Sequence, residues 1–181
     1  MKRTLALLAF VSATTLVAQT SEASGTIFLV RHAEKVSDAP DALLSKTGER
    51  RAACLAQTLR DAHIGAIYVT QVKRIEQTAQ PLARQLEIRP TIVQADDTVT
   101  LAADIKKDAA SKNVLVVGHS DTLPKLFSQM GVSDVPTIGG TDFDLLFVVI
   151  NSDNKPELTT LHYCPSSQAP SKGTGEMRRM R

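Results

Sequence analysis

The sequence predicts an α/β fold: a three-layer α/β/α sandwich around a mainly parallel sheet, with an antiparallel hairpin at its carboxyl end. Two observations support this prediction. Short apolar runs rich in β-branched residues alternate with segments whose apolar residues recur at helical spacing, which is typical of βαβ units. The last two apolar runs are separated by only a few residues, and a connection that short favours a hairpin over a crossover.

The predicted strands are the apolar runs. The first, Thr26–Val30, is β-branched and aromatic and carries no charge, as expected of a strand that is buried on both faces. Gly139-Gly140 marks a turn before the final pair of strands. The remaining predicted strands are Ala66–Thr70, Pro90–Val93, Asn113–Val117, Leu145–Ile150 and Glu157–Tyr163.

Four helices are predicted between these strands. The first is expected to have Thr47 as its N-cap and to run to about Ala62, because its apolar residues recur at helical spacing. The Asp96-Asp97 pair is expected to open the third, which continues through Lys107. The second and fourth are predicted over Ile75–Leu86 and Thr122–Met130.

The two ends of the chain do not fit this pattern. Lys2 and Arg3 precede an apolar run, Leu5–Val17, and small residues follow it, which predicts a signal peptide over residues 1–23 that is cleaved after Ala23. A periplasmic or secreted protein is therefore expected. Residues 165–181 lack periodicity and are rich in Ser, Pro and Arg, so a disordered basic tail is predicted there. The domain itself should span residues 24–164.

Composition excludes some classes of partner. The chain has 21 Lys and Arg against 19 Asp and Glu, a formal charge of +2, and it has no Trp. This near-neutral balance gives no support for nucleic-acid binding, and the scarcity of aromatic residues argues against a surface that stacks bases. Cys54 and Cys164 are an even pair that could form a disulfide in an oxidising compartment. The sequence leaves open whether the two thiols approach each other.

Cationic and imidazole side chains follow three of the predicted strands. Arg31 and His32 come directly after the first strand, Arg74 follows the second, and His119 follows the fourth. Because ligands collect at the carboxyl ends of the strands in open α/β sheets, we expect these groups to surround one pocket. Guanidinium groups suit bidentate contact with an oxyanion. A zinc site made of His32, His119 and an Asp is the alternative.

The ordered motifs identify a resemblance. Arg31-His32-Ala33-Glu34, then Arg74 with Gln77-Thr78-Ala79, and then Gly118-His119-Ser120 resemble the motifs of the histidine phosphatase superfamily, the phosphoglycerate mutase-like proteins. The segment from Leu44 to Gly48 matches the loop-to-helix entry of that family. The resemblance covers about Thr26 to Tyr163, and it implies a phosphoglycerate mutase-like fold.

The resemblance also implies roles for these residues. His32 matches the nucleophile that becomes a phosphohistidine, while Arg31, Arg74 and His119 match the groups that hold the phosphoryl oxygens. A neutral imidazole is a competent nucleophile near pH 7, and cationic neighbours disfavour a second positive charge on it. No metal and no cofactor is implied, since the arginines supply the positive charge. Lys35 stands where some members carry a third arginine, so it is a candidate phosphate-binding residue.

The general acid, which protonates the leaving group, is the assignment that the motifs define least. Asp97, with its neighbour Asp96, lies near the outlet of the third strand, where one branch keeps its acid. Asp121 lies two residues past His119, whereas the other branch places its acid immediately after that histidine; Asp121 could equally stabilise the start of the next helix. Ile75 also departs from the family, which often has Thr or Ser there.

These features lead to an expected function. The resemblance implies a secreted, metal-independent phosphomonoesterase acting on a small phosphorylated substrate, for which an envelope sugar phosphate is one candidate. A mutase is less expected, because phosphorylated glycolytic intermediates are cytoplasmic, and the leader opposes a role in cytoplasmic signalling. The rival is a non-catalytic phosphate- or phosphosugar-binding module on the same fold. The natural substrate and the oligomeric state are not predicted.

Overall fold

The structure is a computed structural model that describes residues 24–152 and 155–164. The predicted signal peptide, residues 1–23, and the predicted tail, residues 165–181, lie outside these ranges, and both stay predictions. Among the helices of the described ranges, none has the length and apolar character that crossing a bilayer requires.

The described residues form one sheet of six strands with four helices. The strands are β1 (Ile27–Arg31), β2 (Ile64–Thr70), β3 (Thr91–Val93), β4 (Asn113–Gly118), β5 (Leu145–Ser152) and β6 (Lys155–His162). The helices are α1 (Lys46–Leu59), α2 (Lys73–Gln85), α3 (Thr98–Ala109) and α4 (Thr122–Met130). The predicted elements are therefore confirmed, with shifts of a few residues at their ends.

The order of the strands creates a crevice. In the sheet order β3-β2-β4-β1-β5-β6, the first four are mutually parallel, whereas β5 runs antiparallel to β1 and β6 antiparallel to β5. The chain leaves β1 towards β2 on one side and leaves β4 towards β5 on the other. Since β1 and β4 are neighbours, their carboxyl ends form a topological switch point, the place where α/β sheets bind ligands.

Two apolar clusters, one on each face of the sheet, make the fold a three-layer sandwich, as predicted. Successive residues of a strand face opposite sides, so Leu29 packs with α3 and α4 while Val30 packs with α1 and α2. Leu115 and Val116 of β4 divide between the same two clusters. With both faces covered, β1 and β4 are held rigidly beneath the residues that follow them.

The start of α1 differs from the prediction. Ser45, and not Thr47, is the N-cap: its side chain accepts a hydrogen bond from the backbone N–H of Gly48 at 3.1 Å. Gly48 is required there because a Cβ at this position would collide with the carbonyl oxygen of Glu34. The first turn of α1 thus packs directly against the backbone that follows β1.

The two cysteines form a disulfide. Cys54 lies on α1, Cys164 lies just after β6, and their Cα atoms are 6.3 Å apart. The cross-link joins residues 110 positions apart in sequence, which is why spacing alone left the pairing open. It attaches the end of the hairpin to the helix that packs against the carboxyl end of β1.

Candidate active site

His32 follows β1 directly and lies at the switch point. Its backbone N–H donates to the carbonyl of Gly118 at the end of β4, at 2.9 Å, and its side chain is buried. Nδ1 of the ring lies 2.7 Å from the carbonyl oxygen of Ala33. Because a carbonyl can only accept, Nδ1 carries the proton and Nε2 keeps its lone pair. This is the tautomer that a nucleophilic imidazole needs.

The Ala33 peptide is itself fixed from α2. The N–H of Ala33 donates to the hydroxyl of Thr78 at 3.0 Å, and that hydroxyl donates to the carbonyl of Arg74 at 2.7 Å. Thr78 is fully buried. The Gln77-Thr78-Ala79 segment therefore connects the helix that carries Arg74 to the loop that carries His32.

The surroundings of His32 keep its ring neutral. Burial, followed by the positive charges of Arg74 and Arg31, lowers the pKa of His32 from 6.5 to about 4, although its bond to Ala33 acts in the opposite direction. Desolvation and like charge both penalise the imidazolium form. The free protein accordingly presents an unprotonated imidazole at neutral pH.

Arg31 is held on an aromatic face. Its guanidinium carbon lies 4.3 Å from the centre of the Phe143 ring, and Nη1 donates to the carbonyl of Gly139 at 2.7 Å. Burial lowers the pKa of Arg31, while the nearby carboxylate of Asp142 opposes that shift. The Nε of Arg31 is buried and has no partner among the described residues. Such an orphaned donor is costly unless a ligand accepts from it.

Arg74 and His119 meet at the outlets of β2 and β4. Nη2 of Arg74 donates to Nε2 of His119 at 2.9 Å, and Nη1 donates to the carbonyl of Pro40 at 2.6 Å. The Nε of Arg74 is a second buried donor that finds no partner in the described part of the chain. Burial and then the charge of Arg74 lower the pKa of His119, and an Nε2 that accepts from Arg74 carries no proton of its own.

The four predicted groups are thus brought together. The rings of His32 and His119 lie edge to face with their centres 5.3 Å apart, and the charges of Arg31 and Arg74 act on both rings. Two orphaned guanidinium donors beside a neutral imidazole form a site that is suited to a tetrahedral oxyanion.

Comparison with known families supports the resemblance that the motifs indicate. A sequence profile of the histidine phosphatase superfamily (branch 1) matches residues 27–98, from β1 to the start of α3, and this span includes Arg31, His32 and Arg74. Over residues 27–98 the chain is similar to the histidine phosphatase superfamily. Comparison with curated protein sequences gives no significant match.

Solved structures of several phosphatases have a similar fold. The candidate phosphohistidine phosphatase SixA from Agrobacterium tumefaciens is 23% identical, with a TM-score of 0.57 over 76% of this chain and 97% of its own. The protein histidine phosphatase SixA complexed with tungstate is 17% identical, with a TM-score of 0.62 over 76% and 96%. A mycobacterial glucosyl-3-phosphoglycerate phosphatase in complex with VO3 is 14% identical, with a TM-score of 0.62 over 77% and 99%.

The two candidate general acids occupy different surroundings. The carboxylate of Asp97 caps α3 by accepting from the N–H of Thr100 at 3.1 Å. Asp121 precedes α4 but makes no capping hydrogen bond through its side chain, and it is exposed. Its negative charge acts on both Arg31 and His119. Of the two, Asp121 is the carboxylate that is free and close to the cationic groups; its role stays a prediction.

Lys35 lies at the rim of the site. Its Nζ pairs with the carboxylate of Asp38 at 2.9 Å, and Asp38 is fully exposed. The positive charge of Lys35 contributes to the lowered pKa of His119. An exposed pair of this kind is weak, so the lysine can exchange Asp38 for a substrate anion. Its proposed contact with phosphate stays a prediction.

The zinc alternative lacks a full set of ligands within residues 24–152 and 155–164. No group of three or more His, Cys, Asp or Glu side chains there is placed to hold a metal ion. His32 also directs its Nδ1 to a carbonyl, and Nε2 of His119 accepts from Arg74. An imidazole nitrogen that accepts from a guanidinium offers no lone pair to a metal.

Sequence reasoning missed the contacts that support the site from a distance. Phe143, beneath Arg31, lies in an irregular loop where no periodic pattern marks it. The buried pair of Glu34 and Arg51 was also missed: Nη2 of Arg51 lies 2.7 Å from Oε1 of Glu34, and only 5% of the Arg51 side chain is exposed. One signal was available. Arg51 lies among the apolar residues that recur along α1, and an arginine on a buried face needs a partner for its charge.

Proposed function

We propose that this protein is a phosphomonoesterase that acts through a phosphohistidine on His32. The observation that carries the proposal is a neutral imidazole, with Nδ1 bonded to a carbonyl, beside two buried guanidinium donors that have no partner among the described residues. A phosphoryl group bears oxygens that accept from such donors. It also bears the electrophilic phosphorus that an imidazole lone pair attacks.

In the first step, Nε2 of His32 attacks phosphorus while the bond from phosphorus to the leaving oxygen breaks. Arg31 and Arg74 donate to the equatorial oxygens, where charge is spread in the transition state. Their Nε donors need no rearrangement of other bonds to do so, because they are orphaned beforehand. This preorganisation is the main source of electrostatic stabilisation in such sites.

The leaving oxygen needs a proton, which we assign to Asp121 in its protonated form, with Asp97 as the second candidate. In the second step, water attacks the phosphohistidine, the bond from phosphorus to Nε2 breaks, and the carboxylate takes the proton of the water. Inorganic phosphate leaves and His32 returns to its neutral form. Atoms and charges balance without a cofactor, and we propose that the reaction is independent of metals.

The compartment and substrate are proposed on other grounds. The leader-like residues 1–23 and the Cys54–Cys164 disulfide support a periplasmic or secreted enzyme, since disulfides persist in oxidising compartments. The structural match to SixA covers 76% of this chain, and residues 1–23 and 165–181 together are about as long as the remainder, so the domain has little additional sequence from which a large lid could be built. An accessible phosphate on a small molecule, such as an envelope sugar phosphate, is the substrate class we propose.

The test is release of phosphate from p-nitrophenyl phosphate in EDTA by the protein without residues 1–23, beside a His32→Ala variant and a His162→Gln control. Activity should be lost by at least about 10⁴-fold in His32→Ala and retained in His162→Gln, which alters an exposed pair with Asp144. Quenching during turnover with alkaline detergent, which preserves the acid-labile bond from phosphorus to nitrogen, should trap phosphate on the wild type and His162→Gln but not on His32→Ala. Inorganic phosphate that binds without any turnover would instead favour the binding module.

The identity of the acid has its own test. In single-turnover measurements of the first step, Asp121→Asn should slow phosphoryl transfer from an alkyl phosphate by about 10²-fold and hardly affect transfer from p-nitrophenyl phosphate, whose leaving group needs no proton. Asp97→Asn is the matched comparison and should leave both rates unchanged, since an Asn side chain can still cap α3. If Asp97→Asn slows the alkyl phosphate and Asp121→Asn does not, Asp97 is the general acid. A panel of sugar phosphates, phosphoserine and a phosphohistidine protein would then define the substrate.

A further inference from the structure

We infer that Arg51, together with the disulfide-bonded Cys164, is a positioning unit that sets the tautomer of His32, so that full activity requires the oxidised protein. The catalytic part of this inference rests on the proposed phosphatase function. Its structural part, the state of the His32 ring, can be measured without any turnover.

The first step is that all three side-chain nitrogens of Arg51 donate to partners within the chain. Its Nε lies 3.0 Å from each carboxylate oxygen of Glu34, its Nη2 donates to Oε1 at 2.7 Å, and its Nη1 donates to the carbonyl of Cys164 at 2.8 Å. This planar fork matches a carboxylate on one side and a carbonyl on the other. Arg51 therefore fixes Glu34 relative to the end of the hairpin.

The second step leads from Glu34 to His32. The carbonyl of Ala33 and the N–H of Glu34 belong to one planar peptide unit, so restraining Glu34 restrains the direction of that carbonyl. Glu34 is held by its carboxylate and also by its own carbonyl, which accepts from the N–H of Ser45 at 2.8 Å. The Ala33 carbonyl is the acceptor that keeps the proton on Nδ1 of His32.

The third step concerns what holds Cys164. Its backbone has a φ of 49°, in the left-handed region that residues with a Cβ rarely adopt. Its disulfide partner, Cys54, lies three residues after Arg51 on α1, so the cross-link and the arginine both reach Cys164 from one helix. Without the cross-link, this unfavourable backbone conformation would relax, and the carbonyl would move away from Arg51.

Reduction of the disulfide should therefore change the state of the His32 ring. A dithiol delivers two electrons and two protons to the Cys54–Cys164 bond, which yields two thiols, and is itself oxidised to a disulfide. Arg51 then loses one of its acceptors in a buried place, and Glu34 and the Ala33 carbonyl gain freedom. His32 should lose its single tautomer, and a fraction of the molecules would present Nε2 protonated and unable to attack.

The experiment compares the oxidised protein, the reduced protein, and the variants Cys54→Ser/Cys164→Ser, Arg51→Gln and Arg51→Lys. Arg50→Gln is the control on the same helix; Arg50 is exposed and bonds only to Thr47 among the described residues. We measure kcat and KM for p-nitrophenyl phosphate, and the tautomer of His32 from the ¹⁵N shifts of its ring. Circular dichroism checks that each sample is folded at the assay temperature.

We expect reduction, Cys54→Ser/Cys164→Ser and Arg51→Gln each to lower kcat by about tenfold, with KM changed by less than about twofold. The His32 signals should change from one tautomer to a mixture. Arg51→Lys should restore neither the kcat nor the single tautomer. Arg50→Gln should match the wild type, and the serine double variant should no longer respond to the dithiol.

The inference is overturned if the folded, reduced protein and the serine double variant retain kcat and a single His32 tautomer. These two samples decide the outcome even if Arg51→Gln does not fold. A failure of the proposed function looks different: the oxidised wild type would release no phosphate, yet the tautomer of His32 would still respond to reduction.

Discussion

Two arginines near the loop after β1, the buried Arg51 and the half-buried Arg74, differ in how fully their donors are used. Arg51 donates through Nε, Nη1 and Nη2 to a carboxylate and a carbonyl within the chain. Arg74 donates through Nη1 and Nη2, but its Nε is buried and unsatisfied within the described residues. Both lie close to the same loop after β1.

The difference separates a structural cation from a binding cation. The charge of Arg51 is neutralised by Glu34, and removing either partner leaves the other uncompensated in a buried place. Arg74 has no carboxylate partner in the described residues, and its positive charge lowers the pKa values of His32 and His119. A half-buried cation with an unused donor is stabilised by an incoming anion, so the loss of Arg74 should affect activity more than folding.

The largest expected effect is on catalysis. Arg74→Met should lower kcat/KM for p-nitrophenyl phosphate by about 10²- to 10³-fold, because it removes a donor that stabilises charge in the transition state. Its urea midpoint should stay close to that of the wild type. Arg84→Met, an exposed change on the same helix, is the control. If Arg74→Met retains its activity, Arg74 is not a binding cation.

The next effect is on stability. Arg51→Met should lower the free energy of unfolding by about 3 kcal/mol, because the carboxylate of Glu34 loses its partner in a largely buried position. The double variant Glu34→Met/Arg51→Met should recover most of that loss, since no unpaired charge remains. Urea denaturation at pH 7 measures both. Equal stability of Arg51→Met and the wild type would contradict a structural role.

A third prediction uses an inert oxyanion. Tungstate at about 100 times its dissociation constant should stabilise the wild type by about 2.7 kcal/mol, because it binds only the folded protein. Arg74→Met should abolish most of this gain, whereas Arg84→Met should keep it. Thermal unfolding with and without tungstate gives the shift. If tungstate stabilises Arg74→Met as much as the wild type, the anion does not bind at Arg74.

The last prediction concerns how the free energy of unfolding depends on pH. The folded pKa of His32, about 4, lies below the unfolded value of 6.5, so the unfolded chain binds more protons between these values. The stability that His32 contributes is complete above about pH 6.5 and is lost as the pH falls towards 4. NMR titration should find the midpoint near pH 4, and Arg74→Met should raise it. A midpoint near 6.5 in the wild type would contradict the burial of the ring.

The strands, the helices and the outlets of the site could be predicted because their signals are local. The apolar run before Arg31 and the helical spacing around Leu55 depend on a few neighbouring residues. Ser45 competes with Thr47 as the N-cap of α1, and only the packing of Gly48 against Glu34 decides between them. Short-range patterns therefore position an element but leave its first turn ambiguous.

Contacts over long sequence separations could not be predicted. Arg51 and Cys164 are 113 positions apart, and no periodicity connects them. Phe143 beneath Arg31 and the carbonyl of Gly139 come from a loop with no regular pattern. Our proposal of Asp121 over Asp97 likewise rests on which carboxylate is already used as a cap, and the sequence does not show that.

The sequence by itself determined that a mainly parallel sheet would carry Arg31, His32, Arg74 and His119 at its strand outlets, because periodicity and strand direction are encoded locally. Only the tertiary structure decided which arginine is satisfied, which imidazole nitrogen is free, and that the two cysteines are joined. Those properties depend on burial and on partners that are distant in the chain. Desolvation makes such partners decisive, because a buried donor without an acceptor is costly and no local pattern records where its acceptor lies.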